Sequence, residues 1–191
     1  MSRPKRKGGR ILLGLLIFIL LVAGAGIWFI LPTKDLDLRY HSIDVKEKIL
    51  KMIETREPRM TLTQEEVAQM SKKNLIKYMS THDLGVDITG ADFRMNGDRM
   101  TADVNGKWGV IPFGAELEFR LTASGSLLNL EHTSTHIRGV GVPLSIFKLE
   151  PIEISMKDYL PDMITVRKVD FLGEGMRLTF KIDWLSLPSL W

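Results

Sequence analysis

The sequence predicts an α+β fold: an N-terminal transmembrane helix, then helices packed on a curved antiparallel β-sheet. Three observations predict it. Residues Ile11 to Leu31 carry no charge and nothing more polar than glycine. Between residues 42 and 79 apolar side chains recur at helical spacing. From about Gly85 the apolar period drops to two, with turn residues between the segments.

The apolar run comes first. A helix of that length rises ~1.5 Å per residue and spans roughly 30 Å, the thickness of a bilayer's hydrocarbon core. Trp28 stands near its outer end, where an indole suits the interface, and Pro32 stops the helix. Ala23-Gly24-Ala25 offers the small-residue form of a signal-peptidase site, but strong hydrophobicity continues six residues further, to Leu31. We therefore read an uncleaved anchor. The chain divides into a basic tail (1–10), the anchor (11–31), a linker (32–41) and an α+β domain (42–191).

Charge orients the anchor. Of 26 basic residues, Arg3, Lys5, Arg6, Lys7 and Arg10 precede it, and no acidic residue occurs before Asp35. The positive-inside rule puts the N-terminus in the cytoplasm and the domain outside, as a single-pass protein of the cell membrane. The remaining 21 basic residues face 23 acidic ones, a net of −2. A nucleic-acid-binding domain carries its positive charge on the folded part, so nucleic acid is not an expected partner. The chain has no cysteine, which excludes disulfides, thiol catalysis, thiolate metal sites and lipidation on sulfur.

Two helices follow. In "HSIDVKEKILKMIETREP" Ser42 is a capping residue, Val45, Ile49, Met52 and Ile53 form the apolar stripe, and Pro58 lies beyond the end. In "TLTQEEVAQMSKKNLIKYM" Thr63 and Glu66 make a capping box. Val67, Met70, Leu75, Tyr78 and Met79 form its apolar side, with Lys72, Lys73 and Lys77 elsewhere.

The meander comes next. Ala91, Phe93 and Met95 alternate, Asn96-Gly97 marks a hairpin turn, and Met100, Ala102 and Val104 alternate again. Asn105-Gly106 reads as a second such turn. Ala115, Leu117, Phe119 and Leu121 share one face opposite Glu116, Glu118 and Arg120, and "ASGS" turns the chain into "LLNLEHTSTHIRGV". "PIEISMKDYLPDMI" reads as a helix opening at Pro151, with a strand through Ile152, Ile154 and Met156 as the alternative. "ITVRKVDFLGEGMRLTFKI" reads as a closing hairpin turning near Gly173-Glu174-Gly175. No repeat of 20–50 residues is present.

Chemistry-bearing residues are sparse. His132 and His136 have the spacing of a helical metal pair, but the context alternates. On one face of a strand they would stand about 13 Å apart, as solvated side chains. His82-Asp83 suits a turn or cap between helix and sheet. Ser124 and Ser126 flank a glycine without forming a nucleophile elbow. Asp98, Asp103, Glu116 and Glu118 could supply a carboxylate pair, and spacing alone does not bring them together. No phosphate loop or calcium loop is present. No catalytic residue, metal site or cofactor is expected.

Apolar surface remains: Trp108, Val110, Ile111, Phe113, Leu117, Phe119 and Leu121, and at the C-terminus Trp184, Leu185, Leu187, Leu190 and Trp191. One reading is a core with a few exposed residues. The other is an apolar groove lined by Trp108, Phe113, Leu117, Phe119 and Leu121 that takes an acyl chain.

The anchor, the "LTQEEV" helix start (Leu62 to Val67), "GAELEF" and "MRLTF" (Met176 to Phe180) together resemble the YpmS family. Those are Gram-positive, membrane-anchored, extracytoplasmic proteins of unknown function, and the resemblance covers most of residues 40–187. It brings no catalytic residues. More distantly, a Leu-Thr-x-x-Glu helix before a curved antiparallel sheet is similar to the TULIP-like lipid-binding domains, which hold lipid between helix and sheet. That resemblance concerns fold alone, and the chain is short for an enclosed tunnel.

The expected function is non-enzymatic. A membrane-anchored extracytoplasmic domain would bind a lipid or lipid-linked cell-envelope component in the apolar groove. The alternative is an interaction module or accessory subunit that docks on an envelope protein through a strand edge or "DWLSLPSLW". A hydrolase assembled from scattered residues is the third reading.

Overall fold

Gly8–Ile30 forms one helix, α1, that stops just before Pro32. Its window Leu13–Ile30 is long and apolar enough to cross a membrane, and none of it is buried by the rest of the chain. These observations come from a computed structural model that describes residues 8–183. Most of the basic tail and the segment Trp184 to Trp191 therefore lie outside the described residues.

The two predicted helices form. α2 is Val45–Thr55, and its cap is Asp44 rather than Ser42: the Asp44 carboxylate accepts from the Glu47 amide at 3.0 Å. A carboxylate at a helix N-terminus also meets the positive end of the helix dipole, which favours it over serine. α3 is Gln64–Thr81 with the capping box as expected. Thr63 Oγ1 accepts from the Glu66 amide at 3.3 Å, and Glu66 Oε2 accepts from the Thr63 amide at 2.9 Å. Val67 and Ala68 are its buried residues, whereas Tyr78 is exposed and stacks on His82.

Between the helices lies an unforeseen strand, β1 (Arg59–Thr63), with Met60 and Leu62 buried and their neighbours exposed. The same Thr63 ends the strand and caps α3, so no loop separates them.

The meander is β2 (Asp87–Asn96), β3 (Arg99–Trp108), β4 (Ile111–Ser124), β5 (Leu127–Ile137) and β6 (Val140–Val142), each antiparallel to the next. β7 (Ile152–Ser155) pairs with the first half of β5. The preferred helix at Pro151 is thus corrected to the strand alternative. Ile152 and Ile154 alternate on the β5 edge, and only one 3-10 turn follows, Met156–Tyr159.

The first hairpin turns at Gly97-Asp98, with Gly97 at φ +60°. A positive φ at the first loop position is what a two-residue turn of this kind requires. Asn105-Gly106 is not a turn. Both residues lie inside β3, opposite Gly114 and Phe113, and the chain reverses at Gly109-Val110.

The closing hairpin, β8 (Ile164–Leu172) and β9 (Gly175–Ile182), forms as read. It does not extend the meander. With β1 it makes a second sheet in the order β1-β9-β8. The core fills the space among α2, α3 and the inner faces of both sheets, through Met52, Leu62, Phe119, Leu121, Val166 and Phe180.

Residues 32–37 pack on the outer face of the main sheet. Pro32 meets Gly114 on β4, the Lys34 carbonyl accepts from Asn105 Nδ2 on β3 at 2.7 Å, and Leu36 lies over Gly90 on β2. A Cβ at Gly90 would overlap the Leu36 carbonyl, and one at Gly114 would stand 2.9 Å from Pro32 Cα. The Asp37 carbonyl then accepts from the Ala91 amide at 3.2 Å. The segment therefore crosses β4, β3 and β2 in turn as a strap.

Candidate functional site

The five residues expected to line a groove are divided between core and surface. Phe119 and Leu121 are buried in the core. Leu117 is half-buried against it, in line with the predicted shared face. Phe113 is half-buried over Gly106, where a Cβ would stand 2.6 Å from its ring. Trp108 is exposed at the end of β3. The alternation placed Leu117, Phe119 and Leu121 together, while Trp108 stands at the far end of its strand.

An apolar concavity exists one row away, where α2, α3, both sheets and the 3-10 turn meet. It encloses about 90 Å³. Five of the ten methionines line it: Met60, Met70, Met100, Met156 and Met176. Met100 is the cross-strand partner of Phe119, and Leu130, also in the wall, is the partner of Leu121. Phe119 and Leu121 therefore back the wall without lining it. Methionine is unbranched and adapts its shape, so a wall built of it yields to an occupant more readily than one of β-branched side chains.

The rim is polar. Tyr159 Oη donates to Asn74 Oδ1 at 2.5 Å, joining the 3-10 turn to α3. Beside it a smaller hollow of about 30 Å³ shares Val45, Met70, Asn74 and Tyr159 and adds His41, Gln69 and Lys73. Gln69 Oε1 accepts from the His41 amide at 2.8 Å, which holds the end of the linker at this rim. Sequence reasoning missed the site because its walls come from stretches scattered between Val45 and Leu178. The signal that could have found it is the methionine content of those segments.

No family model, curated protein or solved structure matches the chain.

His132 is a correction: it is fully buried, not solvated. A bulge between Glu118 and Phe119 in the β4–β5 register sets Phe119 opposite His132 and Glu118 opposite Ser134, leaving Thr133 over. The extra residue reverses the alternation, so His132 points inward and His136 outward, and the two do not share a face. The Leu149 amide donates to His132 Nδ1 at 3.1 Å, which puts the proton on Nε2. Nε2 then donates to Thr135 Oγ1 at 2.8 Å and to the Ser134 carbonyl at 3.0 Å. Phe119 and Phe147 flank the ring at 5.6 and 5.7 Å. Every polar atom of this imidazole is used structurally. Among the described residues no three side chains of metal-ligating type converge.

Of the four acidic candidates, Asp103 and Glu116 do meet, across the β3–β4 ladder. Arg94 bridges them at 2.7 and 3.5 Å, and Lys34 of the strap reaches Asp103 at 2.6 Å. Two cations neutralise the buried Asp103, so the pair is an ionic clasp on the strap. Glu118 accepts from Ser134 Oγ at 2.7 Å. His82 and Asp83 have the turn role expected: the His82 amide closes α3 on the Tyr78 carbonyl, and Asp83 accepts from the Gly85 amide at 2.8 Å.

Two carboxyls are held below the usual range. At Asp37 the cause is the hydrogen bond from the Arg39 side chain. At Glu66 burial pushes upward, and the Lys48 ammonium at 2.6 Å with the Thr63 amide outweighs it. Glu66 thereby joins α2 to the start of α3, beneath which the cavity lies.

Proposed function

We propose that the chain is a membrane-anchored binding domain. α1 spans the bilayer with the basic tail in the cytoplasm, and the folded part lies on the outer side. The domain takes an apolar segment of a lipid or lipid-linked envelope component into the methionine-lined cavity. The observation that carries this reading is an apolar concavity with a polar rim at the helix–sheet junction. Apolar walls with few convergent polar groups are the usual make-up of a ligand site.

Size sets the mode of binding. About 90 Å³ is smaller than the ~150 Å³ of an engineered cavity that takes benzene. The site as it stands accepts a few carbon atoms, and a longer chain requires Met60, Met70 and Met156 to swing aside. Lys73, Asn74 and Tyr159 at the rim offer an ammonium, an amide and a phenol to a polar headgroup.

Mass spectrometry of lipids carried by the purified, detergent-extracted full chain tests this. A stoichiometric apolar ligand, lost from a Val67→Phe variant that still folds, is the expected result. A wild-type protein free of bound lipid after reconstitution with envelope lipid extract would overturn it.

A further inference from the structure

The two ends of the main sheet differ in chemistry. At one end the turns are Asn96-Gly97-Asp98 and Ser124-Gly125-Ser126, built of polar residues and glycine. At the other end the β3–β4 turn presents Trp108 and Val110, which are 69% and 94% exposed, and the β5–β6 turn presents Val140 at 55%. The loop from α3 into β2 reaches the same end, because Asp87 pairs with Lys107, and it exposes Leu84. Three separate connections thus bring large apolar side chains to one end of the sheet. Isolated exposed apolar residues are ordinary, but such convergence at turn tips marks a contact surface.

α1 arrives at that same end. Pro32, just beyond its last turn, rests on Gly114 of β4. Val110 at the hairpin tip lies four residues before Gly114 in the chain, about 13 Å of strand. Arg138 of the β5–β6 turn stacks its guanidinium on the Trp28 ring of α1 at 4.4 Å. Trp28 stands where a spanning helix meets the headgroups. Lys107 and Arg138 are both exposed beside the apolar tips, with Asp83 in the neighbouring loop and Asp87 at the start of β2 also exposed; the two cations suit contact with headgroup phosphates.

We infer that this end of the sheet is seated in the headgroup layer of the bilayer that α1 crosses, with Trp108 and Val110 inserted and Lys107 and Arg138 at the phosphates. The inference rests on α1 being a spanning anchor. It gives the domain a second membrane contact, made by loops.

The absence of cysteine makes the test clean. The single variants Leu20→Cys, Val110→Cys and Asp98→Cys of the full chain each carry one nitroxide label in vesicles of zwitterionic and anionic phospholipid. Collisions with oxygen, which concentrates in the bilayer, are compared with collisions with a water-soluble nickel chelate. The expected result is a bilayer-type ratio at positions 20 and 110 and a water-type ratio at 98. A bilayer ratio at 20 with a water ratio at 110 overturns the inference and leaves the anchor standing. A water ratio at 20 overturns the anchor reading as well. Shielding of position 110 from both reagents means that protein covers the tip, and also overturns the inference.

Discussion

Asn105, in the middle of β3, donates a hydrogen bond at 2.7 Å to the backbone carbonyl of Lys34. The bond joins the segment that leaves α1 to the central part of the main sheet. Its neighbours are Gly90 and Gly114, on either side of Asn105 in the ladder, and both lack the Cβ that would lift the strap away.

Gly90→Ala follows directly. The new methyl cannot coexist with the Leu36 carbonyl, so the strap leaves the sheet. Trypsin cleavage after Lys34 is expected to accelerate, and Asn105→Ala should give a weaker version, costing about 1 kcal/mol for one lost hydrogen bond. Unchanged cleavage in Gly90→Ala would show that the strap contributes nothing to its own protection.

His132→Leu removes the acceptor of the Leu149 amide and the donor to Thr135, leaving the buried Thr135 hydroxyl and the half-buried Leu149 amide without this partner. The expected loss is roughly 2–4 kcal/mol, read as a lower unfolding midpoint. Hydrogen exchange at the Leu149 amide should rise in the same variant. An intact midpoint would mean that water replaces the ring.

Acid destabilisation has a named contributor. Glu66 is held below the ordinary glutamate range, about 4.3, when folded. A depressed carboxyl contributes stability that is complete above the unfolded value and is lost as pH falls through the folded one. Wild-type stability should therefore drop below about pH 4 more steeply than that of Glu66→Gln. Denaturant melts of the two proteins between neutrality and acid check this, and parallel curves would contradict it.

Val67→Phe places a ring against the cavity wall from α3. Because the cavity is already about 90 Å³, the larger side chain has space to occupy, and we expect at most about 1–3 kcal/mol of overpacking cost. Binding of apolar ligands should fall in this variant while the circular dichroism spectrum persists. Retained binding would place the ligand elsewhere.

Local patterns were legible where one segment holds both the cause and the result. Thr63 and Glu66 are three residues apart and cap α3 as read. Gly97 and Gly125 lie in turns between alternating strands, and the sheet forms from those strands. Asn105-Gly106 failed for a non-local reason: a segment seventy residues earlier uses Asn105 as a donor, and the Phe113 ring uses the space over Gly106. His132 failed because one extra residue, Thr133, reverses inward and outward, and a bulge leaves no mark in residue type. β1 went unread because five residues carry too short an alternation to compete with the helix signal that follows. The cavity is least legible of all, since its methionines converge only after β1 and β9 pair.

The strap has a mechanical meaning. A flexible linker of ten residues would let a tethered domain wander over roughly 17 Å. Stitched to β2, β3 and β4, this one works as a rigid mounting bracket with almost no slack. The height and tilt of the folded part relative to α1 are then properties of the fold, and under the proposed function the cavity would meet its ligand at one fixed elevation.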